Sequence, residues 1–237
     1  MLGILGGMGP MATVDFMGKI VRNTPASCDQ DHIQMVVCSA TDVPDRTEAI
    51  LGQGRDPFPA MLNALRRLEH SGATRIAIPC NTAHHWHGAL QAETSVPIIH
   101  IVDAVADALA QQRTIPTLGL LATDGTIHAG VYQQRLAERG YACVVPEAKA
   151  QAEVMRAIRL VKAGHADEAA GILGREAEAL AARGCSQIAM ACTEIPLALA
   201  TLDQDVGAAL LDPTELLAQA CVRSCLAAPR DAVRQVA

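Results

Sequence analysis

Two cysteines stand at matching places in a repeated phrase: RIAIPCNTAH carries Cys80 and QIAMACTEIP carries Cys192, 112 residues further on. Each phrase is an apolar run too short for a helix, ending at a Cys that small hydroxyl or amide residues and a helix-like segment follow. It reads as strand, cysteine, helix. A helix N-terminus or a nearby cation lowers the pKa of a thiol, so both positions favour thiolate. Two such groups on either side of a small molecule can do what one cannot. One removes a proton from carbon while the other delivers a proton to the opposite face, and the stereocentre inverts. The plain alternative is that each Cys is a small buried hydrophobe. Cys28, Cys38, Cys143, Cys185, Cys221 and Cys225 are read that way, although Cys221 and Cys225, four apart on a helix, have metal-ligand spacing. Asn81 and Thr82 after the first cysteine, and Thr193 after the second, offer donors at helix starts, which hold carboxylates well. The same residue types are also preferred helix caps.

The elements that position these residues repeat as well. LGILGGMGP at Leu2 is echoed by LGLLATDGT at Leu118, and HIVDAVADAL around Asp103 by ALLDPTELLA around Asp212. Three echoes in one order, counting the cysteine phrase, indicate an internal duplication. Strands are predicted near Leu2–Leu5, His32–Cys38, Arg75–Pro79 and Ile98–Ile101, and again near Leu118–Ala122, Ala142–Val145, Gln187–Ala191 and Ala209–Leu211. Helices are predicted near Ala12–Asn23, Phe58–Ser71, His84–Thr94, Ala104–Gln112, His128–Arg139, Ala150–Ala163, Ala166–Arg183 and Thr214–Leu226. The βα rhythm gives an α/β fold of two pseudosymmetric domains, each a mainly parallel sheet flanked by helices. The expected units are 1–112 and 113–212, with helix 213–226 returning to complete the first and Gln111–Pro116 crossing between them. The tail from Ala227 is expected to fray. Open parallel sheets bind ligands outside the carboxyl ends of their strands, where both cysteines sit, so the site belongs in the interdomain cleft.

Composition bounds the substrate. The chain has 237 residues, half of them hydrophobic, yet only two Phe, two Tyr and one Trp, so its core is built from Ala, Leu, Ile, Val and Met. A net charge of −6 with no basic cluster argues against nucleic acid as partner. Eight cysteines are too sparse for a disulfide scaffold, and no signal-peptide pattern opens the chain. Reduced thiols in a cytoplasmic protein are expected. No apolar stretch reaches membrane-spanning length, so no membrane partner is expected either.

Three other chemistries compete. Gly7 to Ala12 spells GxGxxA, but Pro10 follows the second glycine and no acidic residue closes a second strand about 20 residues on, which argues against a dinucleotide. The loop is better suited to bring backbone near a small anion. His84, His85 and His87 beside Cys80 raise a zinc-dependent hydrolase using Cys80 and His84. Two α/β lobes around a cleft also suit a noncatalytic amino-acid-binding module. Binding alone, however, gives no reason for a thiol at both equivalent strand ends.

Taken together and in order, GGMGP at Gly6–Pro10, VPDRT around Arg46, PCNTAH around Cys80, LLATDGT around Thr123, LVKAG around Lys162 and ACTEIP around Cys192 resemble the aspartate/glutamate racemase family. The resemblance spans nearly the whole chain. It implies an amino-acid racemase that works without pyridoxal phosphate or other cofactor or metal, as a homodimer, with Cys80 and Cys192 as the two acid/base groups. Dedicated glutamate racemases carry an Asp-Ser pair in the first loop and a His after the second Cys-Thr, where this chain has Gly6-Gly7 and Glu194. It is more similar to the aspartate racemase branch, so the expected substrate is a small acidic amino acid, aspartate or else glutamate. Arylmalonate decarboxylases share the wider fold but lack the first cysteine. Arg46 and Lys162 stand where that branch places its dicarboxylate-binding cations, and guanidinium pairs bidentately with carboxylate. The remaining expected substrate contacts are Met8, Asn81, Thr82, Thr123, Thr126, Thr193 and Glu194. Turn chemistry explains Thr123 and Thr126 equally well.

Overall fold

The computed structural model describes residues 1–112, 117–200 and 205–227. Most of the predicted crossover (113–116) and the tail beyond Ala227 lie outside the described residues. The first half contains β1 (Leu2–Gly6), α1 (Pro10–Asn23), β2 (Met35–Ser39), α2 (Arg46–Ile50), α3 (Phe58–His70), β3 (Arg75–Ala77), α4 (His87–Ala92), β4 (Ile98–Ile99) and α5 (Ile101–Leu109). The second contains β5 (Leu118–Ala122), α6 (Asp124–His128), α7 (Val131–Ala137), β6 (Cys143–Val144), α8 (Ala148–Lys162), α9 (Ala166–Ala182), β7 (Gln187–Ala191), α10 (Glu194–Leu199), β8 (Ala209–Leu211) and finally α11 (Pro213–Leu226).

Both halves build a four-stranded, wholly parallel sheet, in the order β2-β1-β3-β4 and β6-β5-β7-β8. The identical order is the structural counterpart of the sequence echoes. It extends to single residues. Gly3 of β1 and Gly119 of β5 occupy the second position of LGIL and LGLL, and a Cβ on either would press on the following inner strand, at 2.7 Å from Ile76 and 3.1 Å from Ile188. Parallel strands covered on both faces bury every side chain, and β1, β5 and β7 are buried at all five positions.

The two halves share a core. One apolar cluster runs from Leu2, Ile4 and Phe16 through Val105 and Leu109 to Leu118, Leu120, Tyr132 and Leu217. Two further clusters fill the outer side of each half, around Leu65 and Ile76 and around Leu173 and Ile188. The last helix, α11, lies against α1 and α5 of the first half. Asp212 caps it, its Oδ1 accepting from Thr214 N at 2.9 Å and Glu215 N at 3.2 Å. Lys19 of α1, only 6% exposed, ties that cap down, with Nζ 2.6 Å from Asp212 Oδ2 and 2.5 Å from Asp15. Burial alone would lower the pKa of this ammonium, but the two carboxylates outweigh it and the net shift is upward. On the other side of the seam, Arg135 of α7 forks onto Asp103 of α5 at 2.7 and 2.6 Å.

Several predicted elements are revised. The helix over His84–Thr94 starts as a 3-10 turn, Thr82–Trp86, before α4. The helix over His128–Arg139 is broken by Gly130, whose φ of +65° ends α6 and starts α7. The strand at His32–Cys38 begins only at Met35, behind a 3-10 turn at Asp29–Asp31. Among the described residues, no helix is long and apolar enough to cross a membrane.

Candidate active site

The carboxyl ends of the two sheets meet at the seam between the halves, where one cavity takes residues from both. From the first half come Met8 in the β1–α1 loop, Arg46 at the start of α2, and Cys80, Asn81 and Thr82 after β3. From the second come Thr123 after β5, Lys162 at the end of α8, and Cys192, Thr193 and Glu194 after β7. The cavity measures about 20 Å³, room for about one water and too small for an amino acid. A substrate can enter only if the side chains or loops lining the cavity move.

Thr126, expected among the contacts, is fully buried and does not line the cavity. Its hydroxyl instead closes a triangle with Thr82 and Thr123 in which every Oγ1–Oγ1 separation is 2.9 Å. Thr123 also caps α6 by accepting from Thr126 N at 3.1 Å. The turn-forming alternative is thus realised, and the triangle stitches the first half to the second.

Arg46 is held by its own loop, its Nη1 donating to the carbonyls of Val43 at 3.2 Å and Pro44 at 2.9 Å. Its Nε is buried without a protein partner. A guanidinium aimed by carbonyls and left with an unused N–H suits an anion entering the cavity. Asp45 and Thr47, on either side of it, line the cavity too and were not foreseen. Asp45 caps α2, its Oδ1 accepting from Thr47 N at 2.8 Å and Glu48 N at 3.0 Å. The DxxE spacing of Asp45 and Glu48 was the available sequence signal.

The two cysteines differ in their surroundings. Both are buried, Cys80 at 6% and Cys192 at 7% exposure. The Cys192 thiol donates to Glu194 Oε2 at 3.0 Å, and Thr193 Oγ1 donates to the same oxygen at 2.9 Å. Burial first, then the charge and hydrogen bond of Glu194, push the Cys192 thiol well above the ordinary thiol range, while Lys162 pulls the other way. The expectation that cations and a helix start would lower both thiols is therefore corrected at Cys192. The reason is physical: α10 has six residues and brings little dipole, whereas a carboxylate lies in hydrogen-bond contact. Glu194 was expected to meet the substrate. It lines the cavity and also meets the thiol, and its other oxygen faces Gly9, whose added Cβ would lie 3.7 Å from Oε1.

The first loop owes Gly6 and Gly7 to packing. Gly7 has φ +90°, and a Cβ there would strike the Ala40 backbone at 2.5 Å. The loop thus binds the end of β2 and delivers Met8 to the cavity.

His84 is not free to hold zinc with Cys80. Its Nδ1 lies 2.9 Å from the Cys80 carbonyl and its Nε2 accepts from Ile101 N at 3.1 Å, so both ring nitrogens serve the main chain. This network fixes the neutral Nδ1–H tautomer and steadies the cysteine's backbone. Among the described residues, no group of three or more His, Cys, Asp or Glu could hold a metal ion. His84 packs 4.7 Å from His100 and 6.0 Å from His87, ring to ring. Burial lowers His84 to about 3, lowers His87 and holds His100 far below its usual range. Since the folded pKa values are depressed, the unfolded chain binds more protons below about pH 6.5, so stability is full above that pH and drains as pH falls toward 3. His84 alone adds a slope of about 1.4 kcal/mol per pH unit, or about 3 °C in Tm, and the other two rings add to it in the same direction. Thermal melts from pH 7.5 to 5 should show this fall. His100→Asn, which keeps an acceptor for Val102 N, should flatten it, and equal slopes for the two proteins would refute the assignment.

Residues 5–221 match the Asp/Glu/hydantoin racemase family. Over 232 residues, 96% of this chain and 99% of the relative, the sequence is 28% identical to the broad specificity amino-acid racemase RacX of Bacillus subtilis. An aspartate racemase of Picrophilus torridus superposes with a TM-score of 0.83 at 30% identity, covering 94% of this chain and 93% of that one. An aspartate racemase homologue from Pyrococcus horikoshii gives 0.74 at 25% identity, over 95% and 98% of the two chains. With two parallel sheets in the same arrangement and a match that runs almost end to end through both cysteine phrases, the chain belongs to the Asp/Glu/hydantoin racemase family.

Proposed function

We propose that the protein is a cofactor-independent amino-acid racemase that interconverts L- and D-aspartate, with glutamate as the next substrate. The observation that carries this is a single cavity shared by Cys80 and Cys192, one from each half, together with the cations Arg46 and Lys162. Two cations match two substrate carboxylates, and the anions Asp45 and Glu194 in the same lining offset the remaining ammonium. The likeness to an aspartate racemase at 30% identity supports the choice of substrate.

In this mechanism Arg46, Lys162 and the Asn81 amide hold the carboxylates, and the α-carbon lies between the two sulfurs. From one enantiomer Cys80 as thiolate takes the α-proton while the Cys192 thiol donates its own to the other face. From the other enantiomer the roles exchange. Glu194 accepts the Cys192 proton so that this thiol, held high by its surroundings, reaches the thiolate form. Burial of the substrate in this cavity excludes water, which strengthens every charge interaction inside.

Purified protein in reducing buffer with no added cofactor should convert each enantiomer of aspartate to the racemate, followed by chiral chromatography. Turnover of neutral amino acids without either acidic one would overturn the dicarboxylate assignment, and activity that appears only with added pyridoxal phosphate would overturn cofactor independence.

A further inference from the structure

Tyr132 of α7 is fully buried in the core the halves share, and it reaches across the seam. Its hydroxyl donates to Asn81 Oδ1 at 2.5 Å. Burial holds this phenol well above its ordinary pKa, so the hydroxyl keeps its hydrogen. A buried O–H needs an acceptor, and Asn81 Oδ1 supplies it. The amide oxygen is thereby taken, and Asn81 Nδ2, itself buried and 2% exposed as a residue, has no protein partner in a side chain that lines the cavity.

An asparagine amide has two nearly isosteric orientations, one presenting N–H donors and the other a carbonyl. The first attracts a carboxylate and the second repels it. Resting on the racemase reading, which supplies the carboxylate, we infer that Tyr132 is a positioning residue that locks Asn81 with its amide N–H groups toward the substrate. Tyr132 and Asn81 belong to opposite halves, so the donor is oriented only when the halves are together. A chain without this contact would meet substrate with an amide free to turn the wrong way.

Tyr132→Phe keeps the ring and its packing and removes only the hydroxyl. Because the Asn81 amide would hold the carboxylate alike in ground and transition states, its disorder should raise KM for aspartate about 10-fold and change kcat by less than about 3-fold. Asn81→Ala should raise KM at least as much, and adding Tyr132→Phe to it should do nothing more, because the acceptor is already gone. Asn81→Asp gives Tyr132 its acceptor but presents oxygen to the substrate, and it should bind aspartate as poorly as Asn81→Ala. Unchanged KM in Tyr132→Phe, multiplying effects in the double variant, or wild-type KM in Asn81→Asp would each overturn the inference while leaving the racemase reading standing. A wild-type protein that racemises no acidic amino acid would overturn both.

Discussion

Replacing either Cys80 or Cys192 by Ser should lower aspartate racemisation by about 10³-fold or more in both directions, with circular dichroism unchanged. Serine keeps the size and the hydrogen-bonding capacity of the site, but its hydroxyl is a far poorer base than a thiol at neutral pH. Inversion needs a working group on each face, so the loss of one stops it from either side. The half-reactions separate the two sulfurs. Cys192→Ser retains Cys80 and should still exchange the α-hydrogen of one enantiomer with deuterated water, provided solvent replaces the captured proton. Cys80→Ser should favour exchange of the other enantiomer. Racemisation near the wild-type rate in either folded variant would end the two-thiol mechanism.

Glu194→Gln should slow racemisation by about 100-fold while making the Cys192 thiol more acidic. The two effects point in opposite directions, which is what makes the variant informative. In the wild type the carboxylate accepts from Sγ at 3.0 Å and helps hold this thiol in its protonated form. An uncharged amide removes that charge, so alkylation of Cys192, followed by mass spectrometry across pH, should begin at lower pH. If Glu194 serves only to raise the pKa, the variant racemises faster. If it is the acceptor through which the Cys192 proton leaves, the variant racemises more slowly despite its more acidic thiol. A rate increase would return Glu194 to a purely structural place beside Thr193.

The sheets and the two cysteine positions were legible because their signals are local and repeated: short apolar runs that stop at Cys80 and Cys192, with matching LGIL and LGLL openings. The short helices α2 and α6 were not, since five residues make fewer than two turns and cannot display an apolar stripe, whereas α10 was marked only by following the second cysteine phrase. The capping residues Asp45 and Thr123 were the only mark of α2 and α6, and Thr123 carried two readings, turn former and substrate contact. Nor did the strands reveal that the halves share a core. A run such as LGILG, buried on both faces, carries no alternation to say which face meets the other half. His84 looked like a ligand by type and spacing, whereas its ring is spent on main-chain groups of Cys80 and Ile101, contacts that spacing does not encode. Tyr132 gave no signal beyond being one of two tyrosines, because its partner Asn81 lies 51 residues away.

The carboxylate beside Cys192 makes the two faces of the site chemically unequal. Mirror-image molecules in water have the same free energy, so the equilibrium constant of the reaction is one, and the ratio kcat/KM must be the same for both enantiomers at every pH. No arrangement of protein groups can escape that equality. The inequality built around Glu194 can therefore appear only in how each enantiomer saturates the enzyme, as paired differences in kcat and KM that cancel, and in unequal primary isotope effects for the two directions. A protein whose halves repeat the same strand order thus has freedom to let its two chemical ends diverge, at no loss of balance between the hands it interconverts.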